Sequence, residues 1–315
     1  MKKNQTTIAS EVSISGKGLH TGCVVSLTLK PAPANHGIVF QRVDLPKKPT
    51  VKAHILNLAN TPRSTNLQEN GVFVKTMEHL LAAFSGMYID NALILIDAEE
   101  VPILDGSSAP FVNLIKKAGI TELSAPREYI RVDEVIKFEK PDDGIELILV
   151  PAEKFTVSVM VDYGTSVLSS QYASIKKMEE FADKIAHCRT FVFLHELHYL
   201  IKNDLVKGGE LNNAIVFVDK KPKPEILDEI GNFFNKNDIQ INENGTLNNV
   251  QLQCFNEPAC HKLLDLLGDL YLLGKPIMGE IIARKPGHFA NTEFVKMIFE
   301  YLENRNTLKP SKPKA

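Results

Sequence analysis

The clearest hydrophobic pattern in the chain lies at residues 260–270, where leucines recur at helical spacing. This spacing predicts an amphipathic helix with one apolar face packed against a core. His261 and Asp265 are one helical turn apart on one face, and Asp269 follows one turn later. An imidazole and a carboxylate held side by side supply two of the three protein ligands of a catalytic Zn²⁺ site. A solvent-exposed i,i+4 pair has the same spacing and is the alternative interpretation.

Elsewhere the hydrophobic pattern predicts a series of strands and helices that occurs twice along the chain. The expected strands lie within residues 7–29, 37–43, 91–97, 129–138 and 145–150. The other expected helices are residues 76–85, with Thr76 as N-cap, and residues 110–117. Residues 121–127 are polar and contain Pro126, which predicts a linker between the two occurrences.

The second occurrence repeats short pieces of the first in the same order. The repeated pairs are Pro31-Ala32 with Pro151-Ala152, His79-Leu80-Leu81 with His261-Lys262-Leu263-Leu264, and Phe111-Val112 with Phe294-Val295. We therefore predict an α+β protein of two similar halves that arose by duplication, each with strands followed by two helices. The halves are expected at residues 1–124 and 125–303. Residues 304–315 contain two prolines and several lysines and are expected to form a disordered tail.

Composition narrows the class of protein. The 315 residues are 44% hydrophobic with a net charge of -2, which is typical of a soluble globular protein without general affinity for nucleic acid. We expect no transmembrane segment and no signal peptide. The four cysteines, Cys23, Cys188, Cys254 and Cys260, are too few for a disulfide framework and favour the cytoplasm. Cys254, Cys260 and His261 could form a metal cluster, but small core residues are the simpler interpretation.

The helix at residues 76–85 carries a second polar pair, Glu78-His79, at the place equivalent to His261. Adjacent helical residues diverge by about 100°, which suits a division of labour in which His79 binds a metal and Glu78 contacts its water. With His261 and Asp265 this makes three ligands and an open position, and Zn²⁺ lowers the pKa of bound water to about 7. Glu78 would then be the general base. The alternative is that Glu78 and His79 lie on a solvent-exposed helix face and bind no metal.

A proton donor for the leaving group is also present. His288 lies in a predicted loop before the last helix and could protonate a leaving amine, with Asp269 holding its ring in the right tautomer. Residues 190–201 are an apolar-rich helical stretch that predicts either a buried core helix or an exposed groove for a lipid chain. His195 and His198 on that stretch are expected to be surface residues. From spacing alone, a metal hydrolase is the favoured function.

Several blocks resemble the zinc-dependent UDP-3-O-acyl-N-acetylglucosamine deacetylases of lipid A biosynthesis, over nearly the whole chain. The blocks run from Ser15-Gly16-Lys17-Gly18-Leu19-His20-Thr21-Gly22 through Thr76-Met77-Glu78-His79-Leu80-Leu81-Ala82-Ala83, Pro102-Ile103-Leu104-Asp105-Gly106-Ser107, Arg189-Thr190-Phe191 and the helix at residues 261–270 to Pro286-Gly287-His288. The resemblance implies hydrolysis of the 2-acetamido group to acetate and UDP-3-O-acyl-glucosamine, the committed step of lipid A biosynthesis in a Gram-negative bacterium. It also implies a cytoplasmic enzyme, expected to be a monomer.

The resemblance implies a role for each site residue. It places Zn²⁺, or alternatively Fe²⁺, on His79, His261 and Asp265, with Glu78 as base and His288 as acid partnered by Asp269. Thr190 and Lys262 would stabilise the oxyanion. Phe191 would contact the substrate and Lys285 its diphosphate. The implied fold packs the helices between two sheets, with inserts at about residues 41–63 and 190–209, of which the second forms the passage for the acyl chain.

The chain departs from the family pattern at three positions. Glu210 and Asn212 replace a usual Ser and Asp, and Pro258 lies in a segment that usually carries a basic residue before His261. These departures bear on the shape of the passage and on the preferred chain length. Because the sequence ends in the lysine-rich tail, we expect the stand-alone deacetylase and not a fusion to a dehydratase.

Two functions of other classes remain as alternatives. Two histidines and one carboxylate also describe a non-heme Fe(II) oxygenase, although Glu78 would have no role there. A non-catalytic protein that binds a nucleotide sugar or an acyl chain could keep the same fold.

Overall fold

The computed structural model describes residues 3–59, 63–203, 205–236, 238–248 and 250–308. Only the backbone is described for residues 306–308. Its strands are β1 Asn4–Ile8, β2 Val12–Lys17, β3 Val24–Pro31, β4 Ile38–Arg42, β5 Thr50–Lys52, β6 Leu58–Ala59, β7 Asn66–Glu69, β8 Val72–Val74, β9 Ala92–Ile96, β10 Ile120–Pro126, β11 Ile130–Arg131, β12 Ile136–Lys140, β13 Ile145–Val150, β14 Thr156–Val161, β15 Gln171–Ile175, β16 Phe191–Phe193, β17 Ile215–Phe217, β18 Ile277–Met278 and β19 Glu280–Arg284. Its α-helices are α1 Glu78–Gly86, α2 Ala109–Ala118, α3 Phe181–Lys184, α4 Leu194–Lys202, α5 Pro224–Phe234, α6 Glu257–Leu270 and α7 His288–Leu308.

Two five-stranded sheets have the same topology. Their strand orders are β2-β3-β9-β4-β5 and β12-β13-β19-β14-β15. In each sheet the last strand in sequence lies at the centre, antiparallel to the second strand and parallel to the third. This correspondence supports the predicted duplication. In both halves the central strand separates the two helices along the chain. The predicted strand at residues 91–97 has this place in the first half, so the description of strands followed by two helices was incomplete.

The helices fill the space between the two sheets. α1 packs against α6, α6 against β14 and β15, α7 against β12 and β13, and α2 against β2. The predicted α+β fold with helices between sheets is confirmed. α6 is buried on nearly all sides, and its leucines are core residues as expected. The apolar face packs into the core as predicted, and the polar side of α6 is buried as well, because it faces the other half instead of solvent.

Several predicted boundaries differ from the structure. Residues 121–127 fall largely in β10, which pairs with β1. A largely exposed edge strand needs no apolar alternation, so its sequence is typical of a linker. Thr76 is not the N-cap of α1: it has a positive φ of 56°, and the helix begins at Glu78. α7 begins at His288, which is therefore not in a loop, and it extends to Leu308. Residues 304–308 are thus helical and not a disordered tail, whereas 309–315 lie outside the described residues.

The two inserts are placed differently from the prediction at residues 41–63 and 190–209. In the first half, β5 pairs with β4 and belongs to the main sheet, so the insert is the small sheet β6-β7-β8 that follows. In the second half the insert is longer than expected, since β16 pairs in parallel with β17 and α4 contacts α5. Among the described residues, no helix combines the length and apolarity needed to cross a bilayer.

Gly268 allows α6 to approach α1 closely. A Cβ on Gly268 would lie 2.2 Å from the backbone oxygen of Glu78, so a side chain here would force the two helices apart. The approach brings Asp265 on α6 next to His79 on α1.

We expect Gly268→Ala to lower the free energy of unfolding by about 1–3 kcal/mol, as overpacking does. This loss should appear despite the higher helix propensity of alanine, which alone adds about 1 kcal/mol of stability. Denaturant unfolding measures the change. Gly287→Ala is the control, because a Cβ there has no heavy atom within 4 Å. Equal stability of the two variants would contradict the steric account.

Candidate active site

A cavity of about 400 Å³ lies between the two halves and contains most of the predicted site residues. The first half contributes Glu78 and His79 from the start of α1. The second half contributes His261, Lys262 and Asp265 from α6. The other site residues on its wall are Thr190, Phe191 and His288. Neither half alone supplies the complete set.

His79, His261 and Asp265 meet as a buried cluster whose ligand atoms all lie within 4.8 Å of one another. Asp265 Oδ1 is 3.4 Å from His261 Nε2 and 3.7 Å from His79 Nε2. The two imidazole rings stand edge to face with centroids 5.0 Å apart. Two imidazole nitrogens and one carboxylate oxygen around one point are a donor set that suits Zn²⁺ and other divalent transition metals.

Three further observations show that the cluster fits a cation. His261 Nδ1 lies 3.0 Å from the carbonyl oxygen of Cys188, to which it can donate, and this leaves Nε2 free as a ligand. Burial lowers the pKa of His261 and lowers that of His79 to about 3, so both rings are neutral. Asp265 Oδ1 is buried without a hydrogen-bond partner. Because buried polar atoms are normally satisfied, an orphaned carboxylate oxygen facing two imidazoles indicates an ion site.

Asp265 stays ionised in this environment. Burial alone would raise the pKa of its carboxyl, but the positive charges of the Lys262 ammonium and of the protonated His288 ring outweigh burial and hold that pKa well below its ordinary range. Lys262 Nζ donates to Asp265 Oδ2 at 2.8 Å. The charged carboxylate is therefore available as a ligand through its other oxygen.

Glu78 lies next to this cluster with its side chain buried. Burial raises the pKa of its carboxyl to about 7, although the nearby His288 acts in the opposite direction. Glu78 Oε2 accepts a hydrogen bond from the backbone N–H of Thr65 at 3.1 Å. A carboxyl with a pKa near neutrality, held beside a metal site, is suited to general base chemistry.

His288 lies 3.7 Å from Glu78, measured from Nε2 to Oε1, and its other ring nitrogen contacts Asp269. The distance from Nδ1 to Asp269 Oδ2 is 3.0 Å. Burial alone would lower the pKa of His288, but the carboxylates of Asp269 and Asp265 outweigh it and raise the pKa to about 9. His288 is therefore protonated at neutral pH and can donate a proton through Nε2.

The structure also places the remaining predicted residues. Thr190 and Phe191 line the cavity, and Lys262 Nζ lies 5.6 Å from the centroid of the Phe191 ring. Lys285 is not among the described residues that line the cavity. Its side chain lies beside Gly144 in the turn between β12 and β13.

Two residues of the site were missed by sequence reasoning. Thr65 donates through Oγ1 to Asp269, and the same oxygen lies 3.1 Å from His288 Nδ1. Because Thr65 belongs to a segment without hydrophobic periodicity, no sequence pattern could have identified it. Asn291 donates to Asp269 Oδ2 at 2.8 Å. Its position three residues after His288 is a signal that could have been used, since such residues share a helix face.

A family of known proteins matches nearly the whole chain. Residues 5–229 and 227–300 match the model of the UDP-3-O-acyl N-acetylglycosamine deacetylase family, LpxC. The chain belongs to this family.

Curated relatives of two kinds match the chain. A UDP-3-O-acyl-N-acetylglucosamine deacetylase of Teredinibacter turnerae is 40% identical over 94% of this chain and 90% of its own length. The bifunctional enzyme LpxC/FabZ of Chlorobaculum tepidum is 41% identical over 97% of this chain, and that of Porphyromonas gingivalis is 40% identical over 98%. The chain spans about two thirds of the length of these bifunctional relatives, 66% and 67% respectively.

We expect Asp265→Ala to bind one equivalent less of Zn²⁺ than the unmodified protein, with an affinity at this site at least about 100-fold lower. The charged carboxylate is the only anionic member of the three-residue cluster. Equilibrium dialysis followed by metal analysis measures the loss. His195→Ala is the control, since this imidazole is exposed and pairs with Asp219 away from the cluster. A loss in the control variant as well would place the ion elsewhere.

Proposed function

We propose that this protein removes the 2-acetyl group of UDP-3-O-acyl-N-acetylglucosamine, giving acetate and UDP-3-O-acyl-glucosamine for lipid A biosynthesis. The observation that carries the proposal is the buried site at the junction of the halves. It combines a three-ligand cluster with a base of raised pKa and a protonated histidine. Family membership and the names of the curated relatives point to the same reaction.

We propose Zn²⁺ as the ion on His79, His261 and Asp265, with Fe²⁺ as the other metal that this donor set accepts. A metal held by these three residues would polarise the substrate carbonyl and lower the pKa of bound water. The unpartnered Oδ1 of Asp265 supports this assignment, as does Nε2 of His261, which is left free because Nδ1 of the same ring faces the Cys188 carbonyl.

The acid and the base act in sequence in this proposal. Glu78 accepts a proton from the attacking water as its oxygen bonds to the amide carbon. His288 then donates the proton on Nε2 to the amide nitrogen as the C–N bond breaks, which releases the amine and acetate. Asp269 orients the His288 ring and stabilises its charged form, because it contacts the opposite nitrogen.

Thr190 and Lys262 are assigned to the negative charge that develops on the carbonyl oxygen. Both line the cavity, and the Lys262 ammonium is held in place by Asp265 Oδ2. A fixed positive charge in a buried site stabilises such an oxygen far more than it would in water. Phe191, beside Lys262 and His261, is assigned to contact with the substrate.

The second insert is assigned to the acyl chain. The cavity continues from the metal cluster along apolar residues of the insert: Leu197, Leu200, Val206, Val216 and Phe234. Four of these also form part of the insert's own small core. The helical stretch at residues 190–201 was interpreted either as a core helix or as a groove for a lipid chain. In this proposal both apply, since α4 packs against α5 and also forms a wall of the passage.

We expect Glu78→Gln to lower kcat by about 10²- to 10⁴-fold while the bound metal is retained. The amide keeps the shape of the side chain but cannot accept the proton. Acetate release and metal content are measured on the same samples. Glu99→Gln is the control, because Glu99 pairs with Lys75 at the surface. Undiminished turnover of Glu78→Gln would contradict the assignment of the base.

We expect kcat to depend on pH with two limbs. Glu78 acts deprotonated, with a pKa raised to about 7, so activity rises as pH increases through that region. His288 acts protonated, with a pKa raised to about 9, so activity falls again above that region. A bound cation lowers both pKa values, which moves both limbs to lower pH. In His288→Ala the alkaline limb should disappear; an unchanged alkaline limb would contradict the acid role.

We expect Val206→Phe to lower kcat/KM for long-chain substrates by at least about 10-fold relative to short-chain ones. The larger side chain occupies the passage, and each buried methylene that is displaced costs about 0.8 kcal/mol. Leu205→Phe is the matched control, since the neighbouring Leu205 side chain is exposed. A parallel loss for all chain lengths would indicate a structural defect instead.

A further inference from the structure

Three of the four cysteines come together in a place that the proposed reaction does not use. The sulfur atoms of Cys188, Cys254 and Cys260 all lie within 4.8 Å of one another. Cys188 and Cys260 are buried, and Cys254 is partly exposed. The sequence pattern suggested His261 as a partner of Cys254 and Cys260, but its Nε2 belongs to the active-site cluster, and Cys188 takes its place.

A buried carboxylate holds the three cysteine-bearing segments together. Glu257 Oε1 accepts from the backbone N–H of Arg189, which follows Cys188, at 3.0 Å. Glu257 Oε2 accepts from the backbone N–H of Gln253, which precedes Cys254, at 2.7 Å. Glu257 itself is the first residue of α6, one turn before Cys260. A single side chain thus fixes the positions of all three thiols.

The spacing of the sulfur atoms matches that of a metal site. With metal–sulfur bonds of about 2.3 Å, three thiolates around one ion lie about 4.0 Å apart in a trigonal plane and about 3.8 Å apart in a tetrahedron. The observed separations of at most 4.8 Å need only a small closure. A disulfide would use two of the three sulfur atoms and leave the third without a role.

The surroundings favour a three-coordinate ion. Glu257, an acidic side chain that contacts the neighbours of two of these cysteines, is already engaged by Arg189, with Nε at 2.9 Å from Oε1, and by two backbone N–H groups. Among the described residues, the cluster contains three cysteines and no fourth histidine, cysteine or acidic ligand. Structural Zn²⁺ sites take four ligands, whereas Cu⁺ is one of the ions that soft thiolates select. Cys254, as the partly exposed member, gives the ion a route from solvent.

We propose that Cys188, Cys254 and Cys260 form a second metal site, selective for a soft thiophilic cation of the Cu⁺ class. Binding replaces three S–H bonds by three metal–sulfur bonds, and the protons pass to solvent. No electron is transferred in this step. The site lies directly behind a catalytic ligand, because the Cys188 carbonyl oxygen contacts His261 Nδ1.

The test is an anaerobic titration of the reduced, Zn²⁺-loaded protein with Cu⁺ in the presence of a competing chelator. We expect one equivalent of Cu⁺ to bind with thiolate-to-copper charge-transfer absorption, and X-ray absorption at the copper edge to count three sulfur neighbours. Cys254→Ser should weaken binding by at least about 100-fold. Cys23→Ser should bind as the unmodified protein does, since Cys23 is exposed and outside the cluster.

Each other outcome overturns the proposal. No stoichiometric Cu⁺ binding, fewer than three sulfur neighbours, or full affinity in Cys254→Ser would exclude a three-thiolate site. Loss of binding in Cys23→Ser would assign the copper to the surface thiol. Circular dichroism and retained Zn²⁺ content check that Cys254→Ser is folded, and Cys254→Ala gives a second test without a hydroxyl group.

Discussion

The site depends on one buried carboxylate oxygen. Asp265 Oδ1 has no hydrogen-bond partner and faces two imidazole nitrogens at 3.4 and 3.7 Å. Leaving such an atom unsatisfied would cost roughly 1–3 kcal/mol or more for a charged group, and a cation held at the point where the two halves meet would remove this cost. The helix contact that makes the arrangement possible requires Gly268, where a Cβ would collide with the Glu78 backbone.

The duplicated architecture explains how one site acquires groups with opposite roles. Glu78 comes from the first half and His288 from the second, and the ligands are divided between α1 and α6. Buried in the same cavity, the two groups receive pKa shifts that prepare each for its proposed task, to about 7 for Glu78 and to about 9 for His288. The shifts differ in cause, because burial dominates at Glu78 and neighbouring carboxylates dominate at His288. Asp269 supports the second shift and is itself held by Thr65 and Asn291.

Contacts between residues close together in the sequence were predictable, whereas most contacts between distant segments were not. His261 and Asp265 lie one turn apart on a strongly patterned helix, so their proximity is a local property and was predictable. Their meeting with His79 was predictable only because the two halves repeat the same pattern. Thr65 could not be found, since its contacts to Glu78 and Asp269 depend on the path of an insert without periodicity. β10 was mistaken for a linker because an exposed edge strand carries no apolar alternation. The grouping of Cys188 with Cys254 and Cys260 depends on Glu257, a contact between distant segments that no spacing rule anticipates.

The central claim is that a metal held by His79, His261 and Asp265 enables amide hydrolysis by Glu78 and His288. Acetate release under anaerobic conditions, measured before metal removal, after it and after restoration, tests this claim most directly. The account predicts release without oxygen, loss of release when a chelator has removed the metal, and recovery with one equivalent of Zn²⁺. Release that persists in the metal-free protein, or that requires oxygen, would contradict it.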